Sequence, residues 1–370
     1  MLPSGWTDMK LGNFVALQRG YDLISQDRIV GNIPVIGCGG INGYHSEANA
    51  KSPGVALGRS GAGYGTAFYC PVDFWAHNTV LFVTDFKGNH PKFVYYFLDA
   101  LDFSNYNSGG AQPSLNRNYI YPIDVVIPPI QEQIAIANLL STWDRCIEKS
   151  ERIILSNERK YFWLIHNLIN NSCGDWEHLP IHEMFNTVSE KKNGNEELLS
   201  VTQEHGVIPR TMLMGRVMSP AGSTDAYKLI RKGDFAVSLR SFQGGIEYSQ
   251  YQGIISPAYT VLRTKIKIHN AFYKYFFKSA IFIQKYLSIA VIGIRDGRQI
   301  SIPDLMCVKL PYPPMDEQKR IAKTLNTACQ EIDLLKKQAE AYRRQKRGLM
   351  QKLLTGQWRV KVDEKVEHGE

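Results

Sequence analysis

The chain has 370 residues, 44% of them apolar and 21% charged, which leaves room for two or three ordinary domains with cores of their own. No run approaches the roughly 18 apolar residues of a membrane span, and the opening MLPSGWTDMK lacks a basic stretch ahead of an apolar one, so neither a membrane nor a secreted protein is expected. The formal charge of +8 suggests a polyanionic partner but is uneven: Lys+Arg against Asp+Glu runs 8 to 9 in residues 1–130, 5 to 5 in 131–172, 17 to 12 in 173–312 and 13 to 9 in 313–370.

Residues 1–130 hold short β-rich runs, GVALGRS (54–60) and TVLFVTD (79–85), broken by glycine clusters and followed by an aromatic helix, KFVYYFLDALDF (92–103). That is the pattern of an α+β domain with many exposed loops. Three of its loops carry candidate binding groups. GCGGINGYH (37–45) offers Asn42, Tyr44 and His45; LGRSGAGYG (57–65) offers Arg59, Ser60, Gly63 and Tyr64; NSGGAQPSLNRN (107–118) offers Gln112 and Asn116. Arginine can grip guanine or a phosphate, glutamine and asparagine can grip adenine, and glycine lets backbone amides approach phosphate. The competing reading is that these are solvated loops whose polar residues cap and turn. SGAGYGT itself is no nucleotide loop: no lysine follows its glycines, and GTAFYCP looks extended rather than helical. A turn needing positive φ accounts for it.

Residues 131–172 read as one long helix, started by Pro128-Pro129. Apolar positions recur at alternating steps of four and three (Ile136, Leu140, Trp143, Ile147, then Ile154), the signature of a coiled coil. Residues 173–312 return to the first pattern, with GDFAVSLRS (233–241), YTVLRTK (259–265) and AFYKYFFKSAIF (271–282). Their candidate loops are SLRSFQGG, with Arg240, Ser241, Gln243 and Gly244, and GIRDGRQIS, with Arg295, Arg298 and Gln299. Residues 313–357 form a second long helix with its seam at Ile321, Leu325, Ile332, Leu335 and Leu349, and 358–370 a tail expected to be flexible. Ser150, Asn157 and Lys346 interrupt the two seams, either to set register or as tolerated imperfections.

The chain is thus written twice. PPIQEQIAIANLLSTWDRCI (128–147) and PPMDEQKRIAKTLNTACQEI (313–332) align at a constant offset of 185, and the same offset carries on without a gap to LIHNLI (164–169) and LMQKLL (349–354). Upstream, Arg59-Ser60 pairs with Arg240-Ser241, Gly63 with Gly244, and Thr79-Val80 with Thr260-Val261 at offset 181. A duplication with variable, similar, variable and similar blocks predicts an α+β protein of two α/β domains joined by two long helices, related by a pseudo-two-fold axis and packed as an antiparallel coiled coil.

Candidate chemistry is sparse. PYPP (311–314) and IPPI (127–130) lack the acidic or amide residue of an adenine methyltransferase loop, and no metalloprotease, hydrolase or nuclease motif is present. Cys38, Cys70, Cys146, Cys173, Cys307 and Cys329 are scattered, with no zinc-ligand spacing. Free thiols in a reducing cytoplasm and no metal site are expected.

In this order of blocks, with PPIQEQ and PPMDEQ opening the helices, the ending LLTG, and Gly5-Trp6 followed by Lys10 to Gly12, the sequence resembles the specificity subunits of type I restriction–modification enzymes over essentially its whole length. The resemblance implies a non-catalytic protein. Each variable block would read one half of a split site in double-stranded DNA, and the helices would space the blocks and dock two methyltransferase subunits. Restriction subunits with motor activity would join, and S-adenosylmethionine, ATP and Mg would be used by those partners. A scaffold binding only proteins, and a lone methyltransferase or nuclease, are the alternatives.

Overall fold

The computed structural model describes residues 3–110, 113–170, 172, 175–213, 224–238, 244–293 and 299–361. The chain forms two compact units, one of residues 1–151 with 337–370 and one of residues 152–336. Each unit therefore takes part of both long helices.

In the first unit the strands are β1 (Thr7–Lys10), β2 (Ala16–Arg19), β3 (Ile33–Gly37), β4 (Gly40–His45), β5 (Gly54–Gly58), β6 (Ala67–Cys70), β7 (Trp75–Ala76), β8 (Val80–Asp85) and β9 (Asp124–Ile127). Short helices are α1 (Leu11–Phe14), α2 (Pro91–Ala100) and α3 (Arg117–Ile120). An antiparallel sheet runs β2-β8-β5-β6, a smaller one β4-β3-β7, and β1 pairs with β9. All five residues of β5 are buried because it lies inside the larger sheet. Helix α2 starts on a proline, which costs nothing where no intrahelical N–H is needed. Its buried face, including Phe93, Tyr96 and Phe97, closes on Leu57 and Leu81 of the sheet and on Phe14 of α1. Phe14 meets Phe97 edge-on at 5.1 Å. Each such ring contributes about 1.5–3 kcal/mol relative to exposure.

The second unit repeats the plan with β10 (Glu177–Pro180), β11 (Phe185–Val188), β12 (Leu199–Thr202), β13 (Gly206–Pro209), β14 (Lys228–Ile230), β15 (Phe235–Ser238), β16 (Glu247–Tyr248), β17 (Gly253–Ile255), β18 (Tyr259–Thr264), β19 (Val291–Ile292), β20 (Gln299–Ile300) and β21 (Lys309–Tyr312). Its sheet β11-β18-β15-β16 has the connectivity of β2-β8-β5-β6, and β10 pairs with β21 as β1 does with β9. An aromatic helix, here Asn270–Phe276, again covers the sheet, with Phe272, Tyr273 and Phe276 buried.

The repeated Pro-Pro-x-x-Glu-Gln start has the same work in both units. Gln133 accepts from the His90 amide at 2.9 Å and donates to the Pro128 carbonyl at 3.0 Å; Gln318 accepts from the His269 amide at 2.8 Å and donates to the Pro313 carbonyl at 2.8 Å. Both glutamines are buried, so an apolar replacement would strand two backbone groups. The glutamine ties the start of each long helix to the start of the aromatic helix.

The long helices are Ile130–Ile165 and Met315–Leu354, hereafter the first and second long helix. The first alone is about 54 Å at 1.5 Å per residue. In the first unit Asp144 pairs with Lys346 and Glu151 with Arg343, so one number rises as the other falls and the segments run antiparallel. In the second unit Glu158 pairs with Lys336, and Tyr161 meets Cys329.

The seam differs from a simple two-helix coiled coil at its ends. Ile136 and Leu140 lie in the core of the first unit with Leu353 and the α2 rings, and Ile321 and Leu325 lie in the core of the second with Phe272 and Phe276. The neighbouring β-rich body supplies a third wall there. Between these ends Ile154 and Ile332 are buried, Ile147 and Leu335 half-buried, and Trp143 meets Tyr342 edge-on at 5.9 Å. Leu349 is partly buried against the core of the first unit. The seam polar groups are satisfied locally: Ser150 Oγ donates to the Cys146 carbonyl, Asn157 Nδ2 to that of Ile153, and Lys346 reaches Asp144.

The start of the tail is held. Arg359 donates to both carboxylate oxygens of buried Glu132, at 2.6 and 2.9 Å, and to the Ser4 carbonyl at 3.0 Å; Trp6 Nε1 donates to the same carboxylate at 3.0 Å.

Candidate nucleic-acid interface

Strand ends β2, β5 and β8 coincide at one edge of the first sheet, because Arg19 is opposite Leu81 and Gly58 opposite Val80. The segments that follow β2 and β5 and the one that precedes β8 therefore meet at that edge. The Arg59 amide donates to the Thr79 carbonyl at 2.8 Å, and the Leu115 amide donates to the Arg59 carbonyl at 2.7 Å. Ser60 bridges to Ser114. Thr79 Oγ1 accepts from the Cys38 amide at 3.1 Å. Gly63 packs so tightly on the Cys38 carbonyl that a Cβ would come within 1.5 Å of it, which is why this loop needs glycine there. Cys38, Arg59 to Gly63, Thr79 and Ser114-Leu115, dispersed in sequence, are therefore neighbours.

Arg59 is half-buried, with Nη1 donating to the Asn78 carbonyl at 3.4 Å. Its pKa is lowered, first by burial and then by the charge of Arg19. Among the described residues no carboxylate pairs with either guanidinium. Two arginines at one sheet edge without a paired carboxylate among the described residues form a site that an anion would relieve. Nearby, Arg28 binds the Asn42 carbonyl, leaving the Asn42 side chain exposed, and Tyr44 on β4 is 55% exposed. His45 is buried, accepts from the Ile29 amide at Nδ1 and meets Trp75 edge-on, which is structural work.

Other sequence candidates are engaged locally. Tyr64 donates its hydroxyl to the Phe103 carbonyl at 2.9 Å, and Asn116 caps α3 by accepting from the Asn118 amide. In the second unit Gly244 lies against Gln203 and accepts Lys278 Nζ on its carbonyl at 2.8 Å, and Gln299 is exposed on β20 opposite Ile292. Gln112, Arg240, Ser241, Gln243, Arg295 and Arg298 lie outside the described residues.

Sequence motifs do not single out Arg19, Arg28, His77 or Thr79. Thr79 carries a signal, its pairing with Thr260 in the repeat. His77 has its pKa lowered by burial first and by Arg28 next, and its Nδ1 lies 3.0 Å from Thr79 Oγ1. Elsewhere among the described residues no group of His, Cys, Asp and Glu is arranged to hold a metal, and no helix is long and apolar enough to cross a membrane.

A family profile, the type I restriction modification DNA specificity domain, matches residues 3–157 and again 174–341. The chain belongs to that family. It is 25% identical over 275 residues to the putative type I restriction enzyme MjaX specificity subunit of Methanocaldococcus jannaschii, covering 68% of this chain and 63% of that one. It is 26% identical over 287 residues to the MjaVIII specificity subunit of the same organism, covering 68% and 66%. The match thus spans just under two thirds of the length of these relatives. The crystal structure of a type I restriction–modification S subunit from M. genitalium has the same fold, with a TM-score of 0.60 at 17% identity over 94% of this chain and 96% of that one. The two profile matches fall on the two halves of the sequence repeat.

Proposed function

We propose that the chain is the DNA-reading subunit of a type I restriction–modification complex. Residues 1–130 and 173–312 each read one half of a split site in double-stranded DNA, and the helical blocks 131–172 and 313–357 act as the spacer between the half-sites. The helices also dock two methyltransferase subunits, and restriction subunits with translocase activity complete the complex. S-adenosylmethionine, ATP and Mg serve the partners, and this chain contributes recognition without catalysis.

The observation that carries this reading is the meeting of three candidate loops around Arg59 and Arg19 at one sheet edge. Arg59, Ser60, Gly63, Asn42 and Tyr44 form the reading surface of the first domain, and the repeat assigns Arg240, Ser241, Gln243, Gly244, Arg295, Arg298 and Gln299 to the second. Leu155, Phe162 and Trp163 on the first long helix, all more than half exposed, supply apolar surface suited to a docked protein. Free thiols at Cys38, Cys70, Cys146, Cys307 and Cys329 suit a reducing cytoplasm.

Arg59→Ala tests the surface in the assembled methyltransferase complex. A lost base-edge contact costs about 1–3 kcal/mol and relaxes one position of the site, whereas a lost phosphate contact weakens every sequence alike and lowers the salt slope. Assembly should be unchanged. Wild-type affinity and salt dependence in the variant would contradict the assignment.

A further inference from the structure

Ion pairs join the long helices at three places among the described residues, and in each the carboxylate comes from the first helix and the cation from the second. They are Asp144–Lys346 at 2.5 Å, Glu151–Arg343 at 2.5 Å and Glu158–Lys336 at 2.7 Å. The repeat offset of 185 puts Lys336 at the position equivalent to Glu151, and Arg343 at the position equivalent to Glu158. Equivalent sites in the two copies thus carry opposite charge. A second copy of the first helix, laid where the second helix lies, would set Glu158 opposite Glu151 and Glu151 opposite Glu158. Tyr161 would replace Lys346 opposite Asp144. A second copy of the second helix, laid where the first lies, would set Lys336 opposite Arg343 twice.

The outer apolar seam does not make this choice: Ile136 and Ile321, Leu140 and Leu325, and Ile147 and Ile332 are identical at equivalent positions. The middle of the seam differs, with Trp143, Ser150 and Ile154 against Ala328, Leu335 and Ala339, so the packing of Trp143 on Tyr342 acts alongside the charges. Flanking charges are what select partners among helices with similar seams, by repulsion in the wrong pair as much as by attraction in the right one. Exposed ion pairs add little stability singly, but here the alternative replaces two attractions with two repulsions and removes the third. Arg343 also touches Glu340, yet that carboxylate is on its own helix and is present in either pairing.

We propose that these charges make helix pairing heterotypic: the helix of the first repeat accepts the helix of the second repeat and refuses a copy of itself. Any assembly built on these helices then contains one recognition domain of each kind. This goes beyond DNA reading and does not depend on it.

The test uses full-length chains. One variant carries Glu151→Lys and Glu158→Lys, making both helices cationic there; another carries Lys336→Glu and Arg343→Glu, making both anionic; a third combines all four changes. Each half-reversed chain should melt below the parent, and the fourfold exchange should recover most of the shift. The gap should narrow in high salt, which screens exposed charges. Co-expressed with different tags, the two half-reversed chains should copurify one to one by exchanging helices, while two tagged parents do not. That readout separates partner choice from simple stabilisation, and it stays readable, as mutual rescue of yield, if either variant fails to accumulate alone. A fourfold variant no more stable than the half-reversed chains overturns the proposal. So do half-reversed chains that neither copurify nor rescue each other.

Discussion

Among the described residues, the two units hold their strand arginines differently. The second block, with 17 cations against 12 anions, ties Arg263 to Asp234 at 2.8 Å and to Glu190, and adds Arg231 on Glu190 at 2.9 Å. The first block, with 8 against 9, leaves Arg19 and Arg59 at one sheet edge without a carboxylate pairing with either among the described residues. In the repeat, the position of Arg263 is held by Phe82, buried in the sheet of the first unit. One fold accommodates an ion network or a ring at the same strand position. A domain's net charge therefore does not say which of its cations are left without a carboxylate partner.

The helix crossings repeat the lesson. In the first unit the Tyr96 hydroxyl donates to Asp144 at 2.5 Å and lies 3.2 Å from Ser141 Oγ, and Lys346 completes the group. In the second, at equivalent positions, the Tyr275 hydroxyl donates to Asn326 at 2.6 Å, and Cys329 and Tyr161 stand for Asp144 and Lys346. Burial first, and then the Cys329 sulfur, pushes both phenols up. A charged cluster and a neutral one close the same joint.

The contrast between the units breaks most visibly at Arg263. Arg263→Leu leaves Asp234, 5% exposed, with the Arg231 amide as its remaining hydrogen-bond donor from that cluster, and should cost the second unit about 3 kcal/mol in chemical denaturation. The difference should also depend on pH. Glu190 has its pKa lowered, chiefly by its hydrogen bond from Arg263, so the stabilisation is fully present above the unfolded glutamate value and is lost as pH falls through the folded one. The gap between parent and variant should accordingly shrink in acid, below about pH 4.3. A gap that widened there would refute the network's role.

A smaller effect separates the two helix crossings. Asp144→Ala strands Lys346, whose side chain is 14% exposed, and should cost about 1–2 kcal/mol once the exposure of Asp144 itself is allowed for. Cys329→Ala, with no charge left behind, should cost less than about 1 kcal/mol. Thermal midpoints of the two variants check the ranking, and equal shifts would mean that the ion pair and the thiol do equivalent work.

What could be read from sequence was what repeats or recurs locally. The paired Pro-Pro-x-x-Glu-Gln starts, the four–three spacing and the aromatic helices outlined the architecture, because helix periodicity and proline stops act over a few residues. The seam ends were harder: Ile136 and its repeat counterpart Ile321 fit a two-helix pattern equally well when they pack into a β-rich core. Long-range contacts left no such trace. Nothing near Gly63 announces Cys38, and nothing near Arg359 announces Glu132, since strand order and chain return bring them together. The ion pairs between the helices needed both the repeat offset and the observed register.

The most direct test of the account is an exchange of residues 1–127 for the matching block of a related specificity subunit, followed by methylome sequencing of the host strain. Independent readers predict that one half of the methylated site changes while the other half and the gap stay as they were. A site altered in both halves, in an assembled and active complex, would contradict the account.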